Sequence, residues 1–468
     1  MTDLTCDVAV IGAGTAGLTA EHHARKAGAT TLLIDPLFAG TTCATVGCMP
    51  SKLLIAAADA AWSVRHADVF GIRATAETDG PAVFKRLRAE RDRFAAGVKR
   101  SIDGLPDGIA IKARASFSGP GALTLDDGRK VTARAVIIAT GASAAIPGPF
   151  ARLGDRILTN ETIFELEDLP ESVGVIGAGP LGLELGQALA RLGVRVEIFD
   201  QAKGIGGMRD AEVSAVLGDL IGRDAPIHAD VDTSVERVKD GVRVGWAGQT
   251  AVFERLLVAA GRPPNLDALN LGSAQLELDD HGTPVFDPAT MQCGTSPVFI
   301  AGDANHDRPL LHEASHEGAI AGHNAATFPS VDAARRKVPL AITFTRPEAA
   351  TVGDVPDPED TAFVAASVSY DDQGRAKVEA RTGGLCRLHA RRGDGRLTGA
   401  SLCAPDAGHL AHLLAWSISA ELSVADILEL PFYHPTLEEG LRPALRDLCK
   451  KVDAPRPWSR NDDDPPGA

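Results

Sequence analysis

Asp7-Val-Ala-Val-Ile11 runs directly into Gly12-Ala-Gly14-Thr-Ala-Gly17. Helix-forming residues follow to Ala27 and Gly28, and a second apolar run, Thr31-Leu-Leu-Ile34, stops on Asp35. The pattern predicts a buried strand, a helix and a second strand. Glycines at this spacing allow a tight turn and let a pyrophosphate approach the backbone, while the helix turns its free N–H groups toward the negative charge. The closing acid is placed to accept hydrogen bonds from a ribose diol and to repel a 2′-phosphate. One such loop is a weak signal, because glycine-rich turns also occur in ordinary structure.

The layout returns later in the chain. Val173-Gly-Val-Ile176 enters Gly177-Ala-Gly179-Pro-Leu-Gly182, a helix follows to Leu192, and Val194-Arg-Val-Glu-Ile-Phe199 ends on Asp200. Gly12 stands as far from Asp35 as Gly177 does from Asp200, and two motifs in register are a strong signal. Ala135-Val-Ile-Ile-Ala-Thr-Gly141 and Leu256-Leu-Val-Ala-Ala-Gly261 echo each other too, each an apolar strand halting at a glycine with prolines beyond. A third such strand, Pro297 to Asp303, precedes a helix-like segment from His312 to about Ala326. The chain thus reads as two nucleotide-binding domains, the first resumed after the second. From about Lys337 the pattern changes to strands such as Ala341–Phe344 and Gly399–Leu402, then helices near 406–429 and 437–451, a separate α+β domain. The stretch from Asp453 to Ala468, rich in Pro and Asp, is expected to be disordered.

Composition narrows the function. With 47 Lys and Arg against 62 Asp and Glu, the formal charge is −15, which excludes a typical nucleic-acid binder. No apolar stretch is long enough to span a membrane. The opening residues lack the basic-then-apolar pattern of a secretory signal, so a cytoplasmic protein is expected. Seven cysteines are too few for a disulfide scaffold, and only Cys43 and Cys48 lie close together. An isolated pair in a reducing compartment is more often catalytic or metal-binding than structural.

In a regular helix, residues five apart point about 140° away from each other, so bringing Cys43 to Cys48 requires a distorted turn. Gly47 and Pro50 suit one, and Lys52 and a helix N-terminus would both lower a thiol pKa. The rival reading, half a zinc site, needs a second ligand pair, yet the nearest histidines, His22 and His23, belong to the helix after the first glycine loop.

With Gly40-Thr-Thr42 before it, Cys43-Ala-Thr-Val-Gly-Cys48-Met-Pro-Ser-Lys52 resembles the redox-active disulfide of the flavin-dependent pyridine nucleotide disulfide oxidoreductases, the dihydrolipoamide dehydrogenase and glutathione reductase family. The resemblance runs from Val8 to about Lys451. It includes Ala139-Thr140-Gly141, Gly261-Arg-Pro-Pro-Asn265, Gly302-Asp303 and His434-Pro-Thr-Leu-Glu-Glu439. It implies an α/β fold of two Rossmann-like domains, FAD-binding over 1–148 and 270–335 and NAD-binding over 149–269, with an α+β dimerisation domain over 336–452. FAD would be held by Gly12, Gly14, Gly17, Asp35, Thr42, Lys52, Thr140, Gly141 and Asp303. Gly177, Gly179, Gly182, Asp200 and Gly261 would hold NAD, favoured over NADP because no arginine follows Asp200, Lys203 being the one nearby cation. Cys43 and Cys48 would form the redox disulfide, Cys48 against the flavin and Cys43 exchanging with substrate. Lys52 and Glu184 would pair where hydride arrives. His434, oriented by Glu439, would be the acid/base and would act on the disulfide of the second subunit of a homodimer.

The implied activity is oxidation of dihydrolipoamide, free or on a lipoyl domain of a 2-oxo acid dehydrogenase complex, by NAD+. Alternatives are NAD(P)H-driven reduction of another disulfide or a metal ion, and a non-catalytic flavoprotein that assembles or senses. Glutathione reduction is disfavoured by the missing 2′-phosphate arginines, and mercuric reduction by the absence of a cysteine pair near the end of this sequence. Three departures bear on the thiol substrate. Phe432 stands where another histidine is common, Tyr433 precedes the base, and Thr41 replaces a glycine. His312-Glu-Ala-Ser-His316 fits the helical zinc-protease motif, but its position just after Gly302-Asp303 and the lack of a third ligand at the usual spacing argue against a metal.

Overall fold

The computed structural model describes residues 3–453. The expected disordered tail lies outside them, apart from Asp453, whose amide donates to the Arg392 carbonyl.

The first half of the expected pattern forms a seven-stranded sheet. Its elements are β1 (Leu4–Ile11), α1 (Thr15–Lys26), β2 (Thr31–Ile34), α2 (Thr42–Thr45), α3 (Cys48–Arg65), α4 (Gly80–Asp103), β3 (Ala110–Ile111), β4 (Ala115–Gly119), β5 (Ala122–Leu125) and β6 (Lys130–Ile138). The strand order is β3-β2-β1-β6-β5-β4, with β1 parallel to both β2 and β6. The apolar run at Val8–Ile11 is buried on both faces, one packed on α1, the other on the segment Leu266–Ala274. That two-sided cover is why it reads as continuous hydrophobicity rather than alternation.

After α5 (Gly148–Ala151) and β7 (Ile157–Leu158) the second unit follows: β8 (Ser172–Ile176), α6 (Pro180–Arg191), β9 (Arg195–Phe199), α7 (Ala211–Ile221) and β10 (Ile227–His228). An antiparallel trio, β11 (Thr233–Val238), β12 (Gly241–Trp246) and β13 (Gln249–Phe253), precedes β14 (Arg255–Val258). The sheet β10-β9-β8-β14-β7 is parallel throughout. The chain then returns to the first sheet, where β15 (Val298–Ile300) pairs parallel with β6. It leads into α8 (Leu311–Thr327). There Gly318 and Gly322 let the backbone lie against Ala16 and Ala20 of α1, where an added methyl would come within 2.4 and 2.3 Å of the Ala16 and Ala20 carbonyl oxygens.

The last sheet is antiparallel, β16 (Leu340–Thr343), β17 (Glu348–Gly353), β20 (Leu397–Ala404), β19 (Leu385–Arg391) and β18 (Phe363–Ser369), with α9 (Gly374–Val378) between β18 and β19. The expected strand at Ala341–Phe344 ends one residue early, because the Phe344 amide turns away to donate to Glu184. The two helices expected near 406–429 and 437–451 are α10 (Ala407–Ser419), α11 (Val424–Leu428) and α12 (Arg442–Lys451). The first divides where Ser423 and Asp426 form a capping box, and a 3-10 turn, Glu438–Leu441, leads into α12.

Candidate active site

The two glycine loops are near copies. Gly12 and Gly177 take φ +105° and +108°, where a side chain would be strained and would in any case meet the Ala139 or Ala259 carbonyl oxygen at 2.3 or 2.5 Å. Gly17 and Gly182 press on Gly12 and Gly177, with a methyl placed 1.8 or 1.9 Å from the carbonyl oxygen. Gly14 and Gly179 differ, because a methyl there would meet nothing within 4 Å. Protein packing explains the outer glycines, and the open space at the middle ones leaves room for a phosphate at the N-termini of α1 and α6. Gly14→Val is therefore expected to fold normally yet purify with little or no flavin, whereas Gly17→Ala should lose soluble protein; flavin absorbance and thermal melting of the two variants check this.

The closing acids are also matched. Asp35 accepts from the Ala13 amide at 3.0 Å and Asp200 from the Ala178 amide at 2.5 Å. Each carboxylate thus locks its own loop, a task the sequence pattern did not reveal.

Asp35, Gly12, Thr140 and Pro263–Asn265 line a cleft of about 710 Å³. Thr140 Oγ1 is buried there without a partner, an unmet polar atom that a bound cofactor would satisfy. A second cavity holds Gly14, Thr42, Cys43, Cys48, Gly141 and Asp303. The first glycine loop lines both, with Gly12 in the first cavity and Gly14 in the second. Gly261, expected on the nicotinamide side, opens the stretch whose Arg262 reaches Asp303 at 2.9 Å in the second cavity. Asp303 is held from behind by Glu317, which accepts from the Gly302 amide at 2.8 Å and the Asn305 amide group at 2.7 Å and pairs with Arg336 at 2.6 Å. Sequence reading missed Glu317 and Arg336. The available signal was an acid four residues after Glu313, inside the small-residue stripe of α8.

Glu313 itself is buried against Arg336 at 2.9 Å, while His312 is exposed and His316 half-buried. The carboxylate of the protease-like motif is thus committed to an arginine, and among the described residues no three His, Cys, Asp or Glu side chains are grouped to hold a metal ion.

Between the two cysteines the helix breaks. α2 ends at Thr45, Val46 and Gly47 turn the chain, and Cys48 opens α3. Thr41, the residue in place of the usual glycine, caps α2 by accepting from the Ala44 amide at 3.4 Å. Asn160 pins the turn by donating to the Val46 carbonyl at 2.9 Å. Cys43 and Cys48 are free thiols here, the form a redox pair takes when it holds two electrons. A hydrogen bond from the Cys43 thiol, then the Lys52 ammonium, hold Cys48 at about 6. The same contact and burial push the Cys43 thiol well above the usual thiol range. The sequence reading named Lys52 and the helix end but missed Cys43 as the larger cause. In the reduced protein Cys48 is therefore a thiolate above about pH 6 and is protonated below it. Alkylation by iodoacetamide, followed by peptide mass spectrometry, should label Cys48 with a midpoint near pH 6 and leave Cys43 largely unlabelled at neutral pH.

Lys52 Nζ lies 2.6 Å from Glu184, whose other oxygen accepts from the Phe344 amide at 2.9 Å, and the ammonium sits 4.4 Å from the Phe344 ring centre. Glu184 belongs to α6, the helix of the second glycine loop, so this pair joins the cysteine helix to the second nucleotide unit. His434 and Glu439 are elsewhere in the chain. His434 Nδ1 lies 3.1 Å from both Glu439 oxygens, and Nε2 is the nitrogen left for other work. The imidazole is half exposed, Tyr433 is largely exposed, and neither lines the cysteine cavity of the same chain.

Residues 6–319 match the family model for pyridine nucleotide-disulphide oxidoreductase, and residues 339–445 match that for the dimerisation domain of the same family. A dihydrolipoyl dehydrogenase of Chlamydia muridarum is 30% identical over 450 residues, 92% of this chain and 94% of the relative. A mercuric reductase of Staphylococcus aureus is 27% identical over 464 residues, 95% of this chain and 83% of the relative. In fold, the chain is similar to the Cu(II) complex of the HOCl-induced flavoprotein disulfide reductase RclA from Escherichia coli, with a TM-score of 0.82 at 20% identity over 95% of this chain and 99% of that one.

Proposed function

Because the chain belongs to the pyridine nucleotide-disulphide oxidoreductases, a family dependent on FAD and NAD(P), we propose that it is a homodimeric dihydrolipoamide dehydrogenase. The observation that carries the reading is the low-pKa Cys48 thiol, paired with Cys43 and opening into the cavity shared by Gly14 and Asp303. No helix of the described residues is long and apolar enough to cross a membrane.

In the oxidised protein Cys43 and Cys48 are joined. His434 Nε2 of one subunit takes the proton of a substrate thiol at the other subunit's disulfide, and Glu439 holds the ring and balances the imidazolium. The substrate thiolate attacks Cys43 Sγ, the Cys43–Cys48 bond breaks, and Cys48 leaves as a thiolate that Lys52 stabilises. Once His434 has passed the first proton to solvent it takes the proton of the second substrate thiol, whose thiolate displaces Cys43 and closes the cyclic disulfide product, and Cys43 leaves with the imidazolium proton as a thiol. Gly12, Gly14, Gly17, Asp35, Thr42, Lys52, Thr140, Gly141 and Asp303 would hold FAD, which when bound would supply the two-electron chemistry between dithiol and nicotinamide. Gly177, Gly179, Gly182, Asp200 and Gly261 would hold that nicotinamide nucleotide, and the Lys52–Glu184 pair ties α3 to α6, the helix of the second glycine loop.

NAD fits better than NADP. Asp200 closes β9, and Gln201 beside it is tied to Asp232 at 3.0 Å, so a 2′-phosphate would meet carboxylates. Asp200→Ala with Gln201→Arg is expected to move preference toward NADP by about 10-fold or more; an unchanged ratio of kcat/KM values would remove Asp200 from ribose recognition. A lipoyl domain of a 2-oxo acid dehydrogenase complex is the macromolecular form of the proposed substrate.

The test is a steady-state assay of dihydrolipoamide with NAD+, run beside NADH with glutathione disulfide and with Hg²⁺. Dominant dihydrolipoamide turnover supports the proposal. Dominant turnover of Hg²⁺, the second reading that the mercuric reductase relative favours, would replace it.

A further inference from the structure

His434 sits on an irregular loop whose own hydrogen bonds, among Tyr433, Thr436 and Glu439, tie it only to itself. From His434 to Glu439 the chain makes no strand and only enters a single 3-10 turn. Its fixed shape comes instead from the turn after β18. Tyr370 is fully buried and donates its phenol hydrogen to the Leu437 carbonyl at 3.0 Å. Gln373 donates from Nε2 to the neighbouring Thr436 carbonyl at 2.7 Å. Both donors are themselves immobilised. The Tyr370 backbone pairs with Gly384 at 2.9 Å and with Gly383 at 3.2 Å. Gln373 Oε1 accepts from the Ala376 amide at 2.8 Å, capping α9 and fixing the direction of the amide group. Just past Glu439, a methyl added at Gly440 would lie 2.9 Å from Tyr370 Cζ and Oη, so the chain lies flat on the phenol ring.

The Thr436 and Leu437 carbonyls are thus held by two side chains of one rigid turn. From Thr436 the connection continues outward. Its amide donates to Glu439 Oε1 at 3.1 Å, and that carboxylate contacts His434 Nδ1. The Thr436 hydroxyl also donates to the Tyr433 carbonyl at 2.7 Å, so a shift of the two carbonyls is passed to the imidazole through the Glu439 carboxylate and through the backbone beside it.

We propose that Tyr370 and Gln373 are positioning residues for the thiol chemistry, a two-point clamp that sets where His434 is presented to the partner subunit. The proposal rests on the reading of His434 as acid/base. Proton transfer demands placement within hydrogen-bond reach, and a displacement on the order of 1 Å can cost up to about 10²-fold in rate. A half-exposed histidine on an irregular loop has no such precision unless something buried supplies it. The Tyr370 hydroxyl and the Gln373 amide supply it from the protein interior.

The test uses the FAD-loaded dimer with Tyr370→Phe and, separately, Gln373→Glu. Phe keeps the ring beneath Gly440 and loses only the donor. Glu keeps an oxygen for the Ala376 amide and loses the donor to Thr436. Steady-state kcat and KM are read for dihydrolipoamide oxidation, and flavin reduction by NADH is followed in a single turnover that makes no use of His434. Each variant is expected to lower kcat on the order of 10-fold, with KM for NAD+ and the NADH step unchanged. The clamp is overturned if kcat is unaffected in a protein that His434→Gln does slow, or if both half-reactions fall together, which would mark a general loss of structure. If His434→Gln itself leaves dithiol oxidation intact, the base reading fails first and the clamp falls with it.

Discussion

Cys48→Ser is expected to remove dithiol-dependent reduction of NAD+ by at least on the order of 10⁴-fold, because members of a covalent exchange pair act as a unit. Serine is nearly the same size and can occupy the first position of α3. It cannot form the bond to Cys43 that a substrate thiolate must break, and its hydroxyl stays protonated where the Cys48 thiol is held at about 6. The variant should fold, bind flavin and dimerise as the parent does, since Cys48 makes no packing contribution that an oxygen would spoil. Flavin reduction by NADH should persist because the Lys52–Glu184 pair is intact. Retained dithiol turnover in Cys48→Ser would end the exchange mechanism. An assembly or sensing role, the non-catalytic alternative, would instead survive the substitution unchanged.

The second large effect is expected at His434. Replacement by Gln keeps a polar group facing Glu439 but provides no base. Dihydrolipoamide oxidation should slow by at least about 10²-fold, the usual worth of general-base catalysis. The loss should shrink as pH approaches the ionisation of the substrate thiol, which then needs no assistance. Stopped-flow reduction of the flavin by dihydrolipoamide from pH 6 to 10 measures this directly. A deficit that stays the same across the range would mean that His434 shapes the site without carrying the proton. Glu439→Gln should lose less than His434→Gln, because the ring keeps a partner but the imidazolium loses its counter-charge.

Legibility in the sequence followed locality. Gly12 to Asp35 and Gly177 to Asp200 were readable because each loop, helix and closing strand is contiguous, and the same turn needs the same glycines. Cys43, Cys48 and Lys52 were readable for the same reason. The return of β15 to the first sheet was readable as a third copy of a strand pattern. What stayed hidden depends on partners far apart in the chain. Glu317 with Arg336, Arg262 with Asp303, Asn160 with Val46, and Tyr370 with Leu437 leave no periodic trace, since each partner alone is an ordinary polar residue. The closing acids were half legible. Their place at the strand end announced a ribose contact, but the hydrogen bonds that lock Asp35 to Ala13 and Asp200 to Ala178 emerge only when strand and loop fold together. The helix break between the cysteines was foreseen from Gly47, whereas the dominance of the Cys43 thiol in lowering the Cys48 pKa required the geometry of the pair.

The cysteine cavity and the His434 loop belong to distant parts of one polypeptide, and neither contains the other. In the proposed dimer every reaction centre is therefore assembled from two copies of the chain. A hybrid in which one chain has lost Cys48 and the other has lost His434 gathers both lesions into one centre and leaves the other whole. Two alleles that are each inert on their own would then restore growth when expressed together, a genetic complementation that no enzyme with a self-contained centre can show.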